Sequence, residues 1–177
     1  EPKQPIVFWI DRTVPEKYRA TIRDGVLEWN KAFERIGYKD AIKVEIQPEN
    51  ADFNTSDIRH ASIRWMTTAR SAFTAIGPSI VDPRTGEILD ADIGMDATQF
   101  RAIRSYGAES IPSRPAQEAR ADLPYCTYAS ESTEHAGFAL ALLEARDEIM
   151  LDGPEAEAFI LGRLKSTTMH EVGHTLG

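Results

Sequence analysis

Apolar positions along the chain first cluster in one continuous run, residues 5–10 (PIVFWI), the pattern of a strand buried on both faces. The period then changes. Ile22, Val26, Trp29, Phe33 and Ile36 recur three and four residues apart, which lines one face of a helix. Thr13 with Glu16 predicts a capping box at its start, Pro15 suits the first turn, and Gly37 supplies the stop. Residues 41–47 (AIKVEIQ) alternate and are β-branched, so a second strand follows. Strand, long helix, strand predicts a parallel pair with the helix packed on one face of the sheet.

Residues 56–66 (SDIRHASIRWM) read as a third strand, and residues 75–95 as a hairpin turning at DPRTGE. Pro78 lies in the first arm, residues 75–81, and a proline cannot donate to a ladder, so this arm is expected at a sheet edge. From 97 to 123 the pattern is lost, and the stretch IPSRPAQEARADLP holds three of the ten prolines, as a long surface excursion would. Helical character resumes at residues 130–150, breaks at LDGPE, and resumes near Pro154 to the end. On this last helix Leu161, Leu164, Thr168 and Val172 form one stripe, while His170 and His174 project from nearly the opposite side. No internal repeat or low-complexity tract interrupts the order.

With 177 residues, 42% of them hydrophobic, the chain can bury one proper core. A formal charge of -8 and a pI near 5.0 argue against a nucleic-acid partner, which needs a basic face. No apolar run reaches membrane-spanning length. The single cysteine, Cys126, excludes an internal disulfide. Because the chain opens with EPKQPIVFW and closes inside a motif, it is expected to be a piece of something longer.

That closing motif is TTMHEVGHTLG, residues 167–177. Histidines four apart lie one turn above each other on a helix and can share a metal ion, which makes His170 and His174 candidate zinc ligands. Catalytic zinc takes three protein ligands and leaves a position for water, and Glu171 is placed to act as general base on that water. With four histidines in the whole chain, two surface histidines and a glutamate falling into this spacing by chance would be rare.

HEVGHTLG resembles the extended metzincin signature, in which a glycine turn leads to a third ligand three residues on. Gly177 matches that glycine. The stretches PIVFWIDRTVPEKYRATIRDGVLEWNKAFERIGYKDAI, GPSIVDPRTGEILDADI and MHEVGHTLG more narrowly resemble a family of large, exported bacterial zinc-dependent metalloproteases, most known only as domains of uncharacterised function. The resemblance implies a zincin fold of α+β or α/β class: a twisted, mostly parallel sheet with an antiparallel edge strand and two long helices. Residues 1–177 would be the N-terminal part of one catalytic domain, with a family-specific excursion and helix over 97–154 and the metal-binding helix over 155–177. The third ligand and the C-terminal subdomain would lie past Gly177, leaving this piece inactive by itself. The resemblance also implies zinc as cofactor, His170 and His174 as ligands, and Glu171 as base and proton shuttle. An extended peptide substrate would add antiparallel to the edge strand, here Ala75, Ile76, Gly77, Pro78, Ser79, Ile80 and Val81. Location would be periplasmic, cell-surface or extracellular.

Other residues carry weaker signals. His60 and His135 read as surface or hydrogen-bonded histidines rather than ligands. Cys126 lacks the flanking sequence of a zinc-masking prosegment cysteine and reads as semi-buried and structural. Asp90, Asp92 and Asp96 suggest calcium, but no closing glutamate follows, and a solvated strand end is the better reading. Trp29 and Trp65 read as core or cleft wall. The expected function is that of a zinc-dependent metallopeptidase acting on peptide or protein. The rivals are a zincin-fold binding module at the cell surface that does no hydrolysis, and a metal-dependent amidase with a small substrate.

Overall fold

A computed structural model describes residues 1–67, 74–100, 103 and 126–177. They form an α/β fold: a mixed, mostly parallel sheet of six strands, with helices. The strands are β1 (Ile6–Ile10), β2 (Ile42–Ile46), β3 (Ser62–Met66), β4 (Ala75–Ile76), β5 (Ser79–Val81) and β6 (Ile88–Asp96). Among the described residues, the helices seen over their whole length are α1 (Glu16–Leu27), α2 (Trp29–Arg35), α3 (Tyr128–Ala145) and α4 (Pro154–Thr175). The chain divides into two compact units. One comprises Glu1–Met66, Gly77–Met95 and Leu164–Gly177, the other Thr67–Ile76 and Asp96–Arg163.

In the first unit the strand order is β2-β1-β3-β6, with β5 on β6. β1 and β2 are parallel from Ile6 opposite Ile42 to Ile10 opposite Ile46, and β1 is parallel to β3, with Trp9 opposite Ser62. The strand–helix–strand opening therefore folds as its periodicity requires. Phe8 and Ile10 of β1, Ile22 and Val26 of α1, and Ile63 of β3 are buried, as are Leu164 and Val172 of α4. Asn30 ties the crossover to the sheet: its side chain donates to the Ile42 carbonyl at 2.9 Å and accepts from the Ile42 amide at 2.8 Å.

The long helix differs from expectation at both its start and its middle. Thr13 does not cap it. Its hydroxyl and amide both donate to Asp11 Oδ1 (2.5 and 2.8 Å), and Pro15 occupies the N-cap position with no side-chain cap bond. An aspartate two residues back offers Thr13 a charged acceptor, and that bond wins over a neutral capping contact. Glu28 separates α1 from α2, although its backbone stays right-handed helical. There the Lys31 amide bonds the Glu28 carbonyl at 3.1 Å, one residue closer than in an α-helix, so one turn is tightened rather than broken. The stop is as expected. Gly37 has φ +93°, its amide donates to Glu34 and that of Tyr38 to Phe33, a Schellman closure. Ile36, the last residue of the predicted stripe, is 68% exposed and lies beyond the packed face.

The third strand begins later than its apolar pattern suggests, at Ser62 instead of residue 56. Asn54 and Asp57 side chains capture the amides of Ser56 (2.8 Å) and Arg59 (3.1 Å), and the His60 amide bonds the Asp57 carbonyl at 2.8 Å. Two successive turns built on side-chain acceptors displace the extended ladder. The hairpin is present, with Ser79 opposite Ala91 and a bulge between Ile80 and Val81. Its turn closes on Asp82, whose carbonyl accepts from Thr85 and Gly86, and Gly86 adopts φ +77°.

In the second unit Phe100, Ile103, Ala129, Ala136, Leu140, Ala156 and Ile160 are buried. Thr74 and Ser130 share a hydrogen bond at 3.0 Å, and the Arg163 guanidinium lies 5.2 Å from the Tyr128 ring centroid. Of the excursion expected over 97–123, residues 101–102 and 104–123 lie outside the described residues.

Candidate functional site

Helix α4 starts at Pro154, as its break-and-proline signal predicts, and runs through the motif to Thr175. The buried face of its last three turns is Leu164, Thr167, Thr168, Val172 and Thr175, with Glu171 at 2% exposure. Leu161 is only half-buried, so the expected stripe shifts toward the threonines. Buried hydroxyls in a helix need an acceptor. Thr168 Oγ donates to the Leu164 carbonyl at 2.9 Å and Thr175 Oγ to that of Val172 at 2.8 Å.

His170 is half-buried and His174 exposed, one turn apart on the side away from Val172. Their Nε2 atoms stand 3.1 Å apart and their ring planes cross at 84°. Two nitrogens on one tetrahedral zinc, each roughly 2.05 Å from the ion, are separated by roughly 3.3 Å. At this separation the two ring nitrogens can share a hydrogen bond, and the same separation is close to the spacing such an ion takes.

Several contacts hold this part of α4 in the first unit. Lys165 Nζ bonds Glu28 Oε1 at 2.6 Å, while Lys31 bonds the other carboxylate oxygen at 2.5 Å. The hydrogen bonds from Lys165 and Lys31 hold the Glu28 carboxyl down at about 2. A Cβ on Gly25 would come 2.9 Å from Thr168 Cβ, so α1 approaches α4 almost backbone to backbone. Trp29 Nε1 donates to the Met169 carbonyl at 2.9 Å, and its ring fills the space beside Gly173.

The expected substrate arm, residues 75–81, is not one continuous strand. Gly77 and Pro78 divide it into β4 and β5, Ala75 is buried, and Ser79, Ile80 and Val81 are exposed. Among the described residues β5 pairs only with β6, so the edge position inferred from Pro78 holds for Ser79–Val81. The Pro78 carbonyl accepts from the Asp92 amide at 3.2 Å. Gly77 passes directly over α4: a Cβ there would stand 2.5 Å from the Glu171 carbonyl oxygen. The structure thus brings His170, Glu171, His174 and the start of the β5 arm together.

The His60 ring stacks on Phe53, with centroids 4.1 Å apart and planes at 7°, in the turn before β3. His135 is exposed on α3. Cys126 is exposed, not semi-buried. The solvated strand end expected at Asp90, Asp92 and Asp96 is also corrected, because Asp90 and Asp96 are buried. Asp96 Oδ1 accepts from the Thr98 amide at 2.7 Å, and Asp92 Oδ1 accepts from Ser62 Oγ at 2.5 Å. Trp65 stacks on Tyr18 at 5.0 Å, as a wall residue would.

A hollow at the C-terminal ends of β1 and β2 is lined by Asp11, Arg12, Gln47, Phe53 and Thr55. Its polar groups are engaged within the fold: Asp11 accepts from Thr13 and Thr55, and Gln47 accepts from Arg12 and donates to Phe53. That is the chemistry of a structural knot. From the sequence, Trp29 reads only as core or cleft wall and Gly77 only as part of the substrate arm; the contacts that tie them to the motif backbone are added by the structure. The glycine inside the motif, Gly173, was the available signal, since a helix-interior glycine implies a close neighbour.

Comparison with known protein families, with curated proteins and with solved structures returns no match for this chain.

Proposed function

We propose that this chain carries two ligands and the general base of a zinc-dependent metallopeptidase. The observation that carries the reading is the convergence of His170 and His174 Nε2 at 3.1 Å on the turn that also bears Glu171. Zinc held there would polarise a carbonyl and acidify water, the chemistry peptide hydrolysis needs near neutral pH. Glu171, shielded from bulk water, takes a proton from the attacking water and returns it to the departing amine. The exposed edge of β5, which begins where Gly77 lies against the Glu171 carbonyl, offers its backbone to an extended peptide. This agrees with the metzincin resemblance of the motif.

The test separates holding the metal from using it. In a longer chain that carries this sequence, one zinc per chain is expected after dialysis, and none in its His170→Ala or His174→Ala variant. In that longer chain Glu171→Gln is expected to keep the zinc while peptidase activity falls about a hundredfold or more. Zinc retained in the histidine variants overturns the site. Activity unchanged in Glu171→Gln overturns the hydrolytic reading and favours a binding module.

A further inference from the structure

We infer that Trp29 is a positioning residue for the metal-binding turn, setting the spacing of His170 and His174 from outside the motif; the inference rests on the proposed function. Two observations meet at this side chain. Its Nε1–H donates to the Met169 carbonyl at 2.9 Å. Its ring carbon Cζ2 stands 2.9 Å, and Cη2 3.5 Å, from where a Cβ on Gly173 would be.

Met169 and Gly173 are one helical turn apart, and each immediately precedes one of the histidines. In an α-helix the amide of residue 173 bonds the carbonyl of residue 169, and this step fixes how residue 174 sits above residue 170. The indole lies along that step, adding a donor at one end and filling the other end where glycine leaves no side chain. Any larger residue at 173 pushes the ring out and takes the Nε1–H away from Met169. The indole is itself anchored, because Glu28 beside it is bonded to Lys165 of the same helix at 2.6 Å. Contact with the motif's backbone, and not with its imidazoles, makes this an outer-shell contribution, a class whose loss typically weakens metal binding about 10- to 100-fold.

Trp29→Phe keeps an aromatic ring in the groove and removes the donor. Cobalt(II) and zinc titrations of wild type and variant, with visible spectra of the cobalt forms and thermal melts, test the inference. The expected result is an affinity lower by about tenfold or more and a changed cobalt spectrum, with a melting temperature close to that of the wild type. Gly173→Ala is expected to weaken binding in the wild-type background and to do so less in Trp29→Phe, because the benzo edge that the new methyl would strike is gone. Equal affinity and spectrum in wild type and Trp29→Phe overturn this inference alone. Additive losses in the double variant overturn it as well. A wild-type chain that binds neither ion overturns the proposed function together with this inference.

Discussion

Asp90 and Asp11 sit at comparable burial, 6% and 8% exposed, and are driven in opposite directions. Asp90 Oδ1 is buried with no hydrogen-bond partner among the described residues. Burial, followed by the neighbouring charge of Asp92, pushes its pKa up, and the Ala91 amide and His60 oppose this only in part. Burial works to raise Asp11 too, but hydrogen bonds from Thr13 and Thr55, with the Arg64 charge adding, hold its carboxyl below the usual range. A raised folded-state pKa gives stability that is complete below the unfolded value, near roughly 3.9, and is lost as pH climbs through the folded value. A lowered one gives stability present above the unfolded value and lost as pH falls through the folded value. Asp90→Asn is therefore expected to stabilise the protein by about 1 kcal/mol at neutral pH, the order of one uncompensated buried polar group, and by less near pH 4. Asp11→Asn is expected to destabilise at neutral pH, with the difference shrinking in acid. Denaturant melts of the three proteins at several pH values check both, and the same sign for the two variants at neutral pH would contradict the account.

Two glycines show how differently one residue type supports its element. Gly37 closes α2 with φ +93°, and a Cβ there would meet nothing within 4 Å. Gly37→Ala should thus lose only the left-handed backbone preference, about 1–2 kcal/mol, and Gly37→Asn less. Gly77 has no positive φ, yet a Cβ there would collide with the Glu171 carbonyl at 2.5 Å. Gly77→Ala is expected to cost about 1–3 kcal/mol as overpacking and to shift the β5 arm relative to α4, whereas Pro78→Ala leaves the melt nearly unchanged. Melts of the four variants check the ranking. The same contrast explains what could be read in advance. Gly37 was legible because a helix stop is a local signal, as were the crossover, the hairpin and the start of α4 at Pro154. Gly77 was not, because its constraint comes from a helix carbonyl far along the chain. The failed capping box at Thr13 and the late start of β3 share one cause: Asp11, Asn54 and Asp57 supply acceptors that compete with the regular pattern. Apolar periodicity does not register that competition.

The motif was legible for the opposite reason, since two imidazoles on successive turns need only a helix to converge. What the pattern could not supply was the frame around it: Glu28, Trp29, Gly25 and Gly77 all reach α4 from elements more than eighty residues away in the chain. On the proposed function, that frame would make metal binding and folding of the first unit one equilibrium. An ion that needs both Nε2 atoms 3.1 Å apart binds the folded chain far better than an unfolded one, in which the two histidines are merely close in sequence. Zinc at about 100 times its dissociation constant then stabilises the native state by up to about 2.7 kcal/mol, less whatever the unfolded chain retains. For a protein of this size that is a rise of about 5 to 10 °C in melting temperature. The rise should disappear in His170→Ala and His174→Ala and be reversed by a chelator. It should be smaller in Trp29→Phe at equal zinc, because its dissociation constant is weaker, and should return as zinc is raised. A rise of equal size in His170→Ala would place the stabilising ion elsewhere, and the convergence of the two imidazoles would then be a feature of helix packing alone.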